Sequence, residues 1–91
     1  MLVKFFASYR EITKCSSCVV PAPHDLRALL SEITVKYGPA MGGKLLSEDG
    51  QALGNDAVVL VNGRHIDHLT GLDTLLFEDD VVALFPLVAG G

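Results

Sequence analysis

The sequence predicts an α+β fold, a mixed sheet of about five strands packed on one main helix. Three observations predict it. Apolar, strand-length runs stand near both ends of the chain, Leu2 to Ser8 and Val81 to Phe85. Only Leu26 to Tyr37 carries a clear helical period. Between them, the strongly apolar run Val58 to Val61 leads into Asn62-Gly63, the strongest two-residue hairpin signal.

Each element follows in order. Leu2-Val3-Lys4-Phe5-Phe6-Ala7-Ser8 is the first strand, and the polar stretch Tyr9 to Lys14 is a turn. Cys15 to Val20, rich in small and β-branched residues, is a return strand. Pro21-Ala22-Pro23 ends it, because proline cannot donate to a ladder. Leu26, Leu29, Leu30, Ile33 and Tyr37 then recur on one helical face. Asp25 suits the helix N-terminus and Gly38-Pro39 its stop. One apolar stripe means the helix covers one face of a sheet.

Met41 to Asp56 holds Gly42, Gly43, Gly50 and Gly54 and reads as a long connection with one helical turn at Gly43 to Leu46. Arg64 to Asp67 is a short return strand, and His68 to Phe77 a connection with a turn at Leu72 to Leu75. Glu78-Asp79-Asp80 is an acidic turn before Val81 to Phe85, a near-continuous apolar run and therefore a central strand. Pro86 ends it. Placing the first and last strands side by side and parallel gives the ubiquitin-like β-grasp arrangement. Residues 1–86 form that domain, and residues 87–91 a flexible diglycine tail.

Size and charge narrow the function. A chain of 91 residues has room for one domain, so any chemistry is done as a small subunit, carrier or tag. The net charge of −4 argues against nucleic acid or an anionic membrane as partner, and suits docking on a basic protein surface. No run approaches a membrane span, and Leu2 to Ser8 reads as a strand, not a signal region. Two cysteines are too few for a disulfide framework, so the cytoplasm is the expected compartment.

The chemistry points to the C-terminus. Gly90-Gly91 adds nothing to a core, but a backbone without Cβ can thread a narrow channel. Pro86 to Gly91, fully extended, reaches roughly 20 Å. The reactive group is then the Gly91 carboxylate, a poor acyl donor until activated.

Ala83-Leu84-Phe85-Pro86-Leu87-Val88-Ala89-Gly90-Gly91 resembles the C-terminal signature of the MoaD/ThiS sulfur-carrier family, above all its MoaD branch. Val3 to Thr13, with Arg10-Glu11, resembles the family's first strand and arginine–glutamate turn, and Val58 to Gly63 its middle strand and turn. Leu76 to Val82 matches its leucine, acidic turn and valine. Leu87 departs from the branch's usual second proline. Asp79 stands in place of a usual glycine; Asp tolerates a left-handed backbone better than most residues, so the turn is expected to be kept with some strain. The resemblance implies that a MoeB-like or ubiquitin-activating-like enzyme adenylates Gly91 with ATP, and that a sulfur donor converts it to a thiocarboxylate. Two such chains would dock on a dimer of a MoaE-like large subunit to sulfurate the molybdopterin precursor. The catalytic lysines would belong to that subunit, so this chain is not catalytic alone and binds no cofactor itself. The alternatives are a ubiquitin-like archaeal modifier joined through Gly91 to target-protein lysines, or a sulfur carrier for thiamin or tRNA thiolation. A passive scaffold has no use for a free diglycine.

Other motifs weigh less. Cys15-x-x-Cys18 is a lone pair, and on one strand the two would face opposite ways, so the cysteines read as small hydrophobes. His24, His65 and His68 fit no ligand spacing with them, and no metal is expected. Lys4, Arg10 and Arg64 read as solvated charges or partner contacts. If Val3, Phe5 and Ala7 face the helix, then Leu2, Lys4 and Phe6 face away. That outer face, with Pro86, Leu87, Val88 and Ala89, is the expected docking surface, anchored by Phe6 and Phe85. The competing reading covers it with the 41–56 connection.

Overall fold

The computed structural model describes residues 1–41 and 43–87. Strand β1 (Leu2–Phe5) runs into a short helix α1 (Ser8–Thr13), β2 (Ser17–Val19) and the main helix α2 (Leu26–Tyr37). After the long connection come β3 (Ala57–Val61), β4 (Arg64–His65) and β5 (Val81–Pro86). Short 3₁₀ turns stand at Gly38–Ala40, Ile66–His68 and Gly71–Asp73. The five strands form one mixed sheet in the order β2-β1-β5-β3-β4. β1 and β5 lie parallel at its centre, with Val3 opposite Val82 and Phe5 opposite Leu84. This is the expected β-grasp arrangement.

Alternation along the strands decides which side meets the helix. Val3 and Phe5, Val59 and Val61, and Val82 and Leu84 are all buried, and meet Leu26, Leu29, Leu30 and Ile33 of α2 in one core. Asp25 begins α2 as expected, its carboxylate accepting from the Ala28 N–H at 2.9 Å. At the other end Gly38 takes φ 65°, a conformation that glycine adopts without strain. Asn62 and Gly63 take φ 52° and 82°, as a type I′ hairpin turn requires. The Asn62 side chain goes further. Its Nδ2 donates to Asp80 Oδ1 at 2.8 Å, and its Oδ1 accepts from the Val81 N–H at 2.9 Å. One residue thus ties the β3–β4 turn to the start of β5.

Several expectations need correction. The first strand ends at Phe5, so Ala7 is exposed in a turn and does not face the helix, and the return strand after Asn62-Gly63 is only Arg64–His65, with Ile66–His68 a 3₁₀ turn. Tyr9 to Lys14 is helix, not a plain turn: Tyr9 and Thr13, four apart, bury one face, and Lys14 closes it in a left-handed conformation at φ 62°. β2 begins at Ser17, so Cys15 precedes the strand and is free of its alternation. Cys15 and Cys18 therefore both pack against the core instead of facing opposite ways. The 41–56 connection has no helix at Gly43 to Leu46. A Leu46–Leu53 bridge holds it, and Met41 and Leu45 are buried in the core. Asp79 carries no left-handed strain. Among the described residues, the non-glycine residues at positive φ are Ala7, Lys14 and Asn62, and the acidic turn closes through an Asp80 N–H to Phe77 O bond of 3.0 Å.

Candidate functional site

The central strand β5 ends at the site. Its last ladder pair is Pro86 with Ala57, so the strand runs through the proline. The Leu87 N–H then donates to Asp56 O at 2.6 Å, and Leu87 itself is 63% exposed. Two fixed strands therefore set the direction in which the chain leaves the sheet. Val88, Ala89, Gly90 and Gly91 lie outside the described residues.

Phe6 and Phe85 meet on the outer face, as expected. The Phe6 N–H donates to Leu84 O at 3.2 Å, which carries the β1–β5 pairing one residue beyond β1. The two rings stack with centroids 4.3 Å apart and planes 10° from parallel. Such a pair is worth about 1 kcal/mol beyond its buried area. Both rings stay half-buried. Leu2, Val81, Ala83, Val58 and Leu60 share that face by register. The 41–56 connection does not cover it. That segment is held on the helix side, where Arg27 Nε donates to Gly50 O at 3.0 Å.

A cavity of about 540 Å³ opens beside the root of the tail. Ala7, Ser8 and Tyr9 line one side, Lys44 and Asp56 another, and Pro86 and Leu87 the third. Sequence reasoning missed it because it missed α1, whose first turn forms a wall. The Tyr9 phenol is held above its ordinary range by burial and then by the Asp56 carboxylate. It stays neutral and supplies no base to the tail.

The remaining candidates are structural. Burial pushes the Cys18 thiol up, with Cys15 adding to the shift, so Cys18 is not a ready thiolate. His65 Nδ1 accepts from the Asp67 N–H at 3.0 Å, which closes a local turn. Among the described residues, His24, His65 and His68 join no cluster able to hold a metal. Lys4 and Arg64 are exposed, and Arg10 lies exposed on α1. No described helix is long and apolar enough to cross a membrane.

Comparison with known proteins now bears on this geometry. The sequence model of the ThiS family matches residues 3–91. The chain belongs to the ThiS family. The chain is 35% identical to small archaeal modifier protein 3 of Haloferax volcanii, across 98% of this chain and 96% of that one. It is 40% identical to a putative sulfur carrier protein of Archaeoglobus fulgidus, across 75% and 72%. The solution structure of small archaeal modifier protein 1 from Methanosarcina acetivorans superimposes with a TM-score of 0.84 at 30% identity, covering 99% of this ThiS-family chain and 94% of the other. The fold is ubiquitin-like, and the relatives include both a modifier and a carrier.

Proposed function

We propose that this chain carries an activated C-terminal carboxylate, with Gly91 as the reacting residue and Gly90 as its slender approach. One observation carries the reading. In sequence the diglycine end stands three residues beyond the central strand β5, whose outer face is apolar and is left uncovered by the described residues. A partner enzyme transfers the adenylyl group of ATP to Gly91 and releases pyrophosphate. A sulfur nucleophile then displaces AMP and leaves a thiocarboxylate. The rigid root at Pro86 and Leu87 aims the tail, while Phe6 and Phe85 anchor the partner. The chain itself needs no base, metal or cofactor for these steps.

The sulfur then goes to the molybdopterin precursor, with this chain as small subunit beside a MoaE-like large subunit. The Phe85-Pro86 step of the tail supports that acceptor. A second reading has the same activated Gly91 captured by lysines of other proteins. The 35% identity to small archaeal modifier protein 3 supports it. Both share the activation step and differ in the nucleophile.

Intact-mass spectrometry of the chain isolated from its host separates them. Replacement of one Gly91 oxygen by sulfur is the carrier's result. Diglycine remnants on lysines of other proteins are the modifier's. Deleting Gly91 should abolish either product and leave the unfolding midpoint unchanged, because the tail lies beyond the last ladder pair, Ala57–Pro86. A deletion variant that still supports cofactor synthesis or conjugation would refute the mechanism.

A further inference from the structure

We infer that the outer face of the sheet receives an apolar partner surface that presents a carboxylate to Lys4. The inference rests on the proposed docking role of that face and adds the chemistry of what docks there. The five strands contain no Asp or Glu. Their cationic or titratable nitrogen groups are Lys4, Arg64 and His65. Arg64 is opposite Val61, which faces the core, so it stands on the helix side of the edge strand. His65 shares the outer face, opposite Leu60 at the far edge, and lies 3.6 Å from Asp67. Lys4 is therefore the one Lys or Arg side chain that the strands place on the outer face.

Its surroundings leave it unpaired. Its cross-strand neighbours are Ser17 on β2 and Ala83 on β5, both too small to shield it. Two residues away on either side, on the same face, stand Leu2 and the Phe6 ring. No salt bridge among the described residues includes Lys4. In solution water satisfies the ammonium. When a partner closes over Phe6 and Phe85, that water leaves, and an ammonium buried without a counter-charge opposes binding. A carboxylate opposite Lys4 removes the penalty and fixes the register of docking. Charge complementarity thus selects a partner with an acidic group set in an apolar surface. This is the opposite sign from the one the net charge of −4 suggests.

The test uses the full chain and the host's adenylating enzyme, the protein whose ATP–pyrophosphate exchange depends on this chain. Calorimetry gives its affinity for the native chain and for Lys4→Met, Lys4→Glu, Lys4→Arg and Phe6→Asp, at low and high salt. Thermal unfolding of each variant confirms that it folds. Lys4→Met should bind at least about tenfold more weakly, since it strands the partner's carboxylate. Lys4→Glu should bind more weakly still, and Lys4→Arg close to native. The Lys4→Met defect should persist at high salt, because a desolvated pair is poorly screened. Native or tighter binding by Lys4→Met, with Phe6→Asp impaired, would overturn the inference and leave the docking face standing. A defect that vanishes at high salt would place Lys4 at a solvated rim and also overturn it. Unchanged binding by Phe6→Asp would remove the docking face itself.

Discussion

Ala7 joins Phe6 to α1, and its backbone is held where alanine is not at ease. Its φ of 52° and ψ of −127° match the first central position of a type II′ turn. The turn is closed by the Tyr9 N–H donating to Phe6 O at 3.1 Å. Glycine is favoured there, and a side chain in such a conformation costs about 1–3 kcal/mol. Replacing Ala7 by glycine removes that strain. The exposed methyl supports no core contact, so nothing is lost in packing. Against the gain, glycine widens the unfolded ensemble at a cost of about 0.4–1 kcal/mol. The balance for Ala7→Gly is a stabilisation of about 1 kcal/mol, which raises Tm by about 4–8 °C in a domain of this size. Urea unfolding followed by circular dichroism measures it, as a higher midpoint with an unchanged slope. Ala7→Val, with its branched side chain at positive φ, should move the midpoint the other way. An Ala7→Gly variant no more stable than the parent would refute the strain argument.

The other predictions concern the hairpin and the alkaline limit. Asn62→Ala should lose about 2 kcal/mol, from two side-chain hydrogen bonds and a left-handed backbone; Asn62→Gly, which keeps the backbone at ease, should lose less, and equal losses would show that the backbone contributes nothing. Cys18, Tyr9 and Tyr37 all hold their protons to higher pH in the fold than in the unfolded chain, chiefly through burial. Their contribution is therefore complete below the ordinary values of 9.0 for the thiol and 10.0 for the phenols, and is lost as pH climbs beyond them. Urea midpoints measured against pH should fall in that alkaline window, with Tyr9→Phe flattening the part above 10.0; an identical fall in Tyr9→Phe would exclude Tyr9 as a source.

The sheet was legible because its signals are local. Period-2 alternation in β1 and β3, the Asn62-Gly63 turn and the Asp25 cap each follow from residues adjacent in sequence. α1 was not legible. It is six residues long and has no side-chain cap bond, and its two buried residues do not stand out from a polar turn. Tyr9 and Thr13, four apart, were the only signal available. The start of β2 was hidden for a similar reason. The bend at Ser16 that brings both cysteines to the core follows from α1 and the Lys14 cap, not from any property of Cys15. Of the site, the Phe6–Phe85 pairing could be read from alternation once β1 and β5 were set side by side. The cavity could not, since it needs α1, the 43–44 and 55–56 segments and the strand end together.

Net charge misleads for a related physical reason. It is a sum over the molecule, whereas docking depends on the field over one face. The parallel pairing of β1 and β5 segregates the acids Glu78, Asp79 and Asp80 at the end of the sheet where both strands begin. There Leu2 N–H donates to Asp80 O at 3.1 Å, and Glu78 lies 3.6 Å from the Met1 ammonium. The Phe6–Phe85 stack stands at the opposite end, where both strands finish and the tail departs. On the proposed docking mode, a partner arriving over the outer face meets apolar side chains and Lys4 there, and meets the exposed Asp56 only at the root of the tail. At an ionic strength near that of the cell, a charge more than about 8 Å away is largely screened. In the proposed docked state the acidic turn then adds little, and over the strands of the outer face the sign of the contact is set by Lys4.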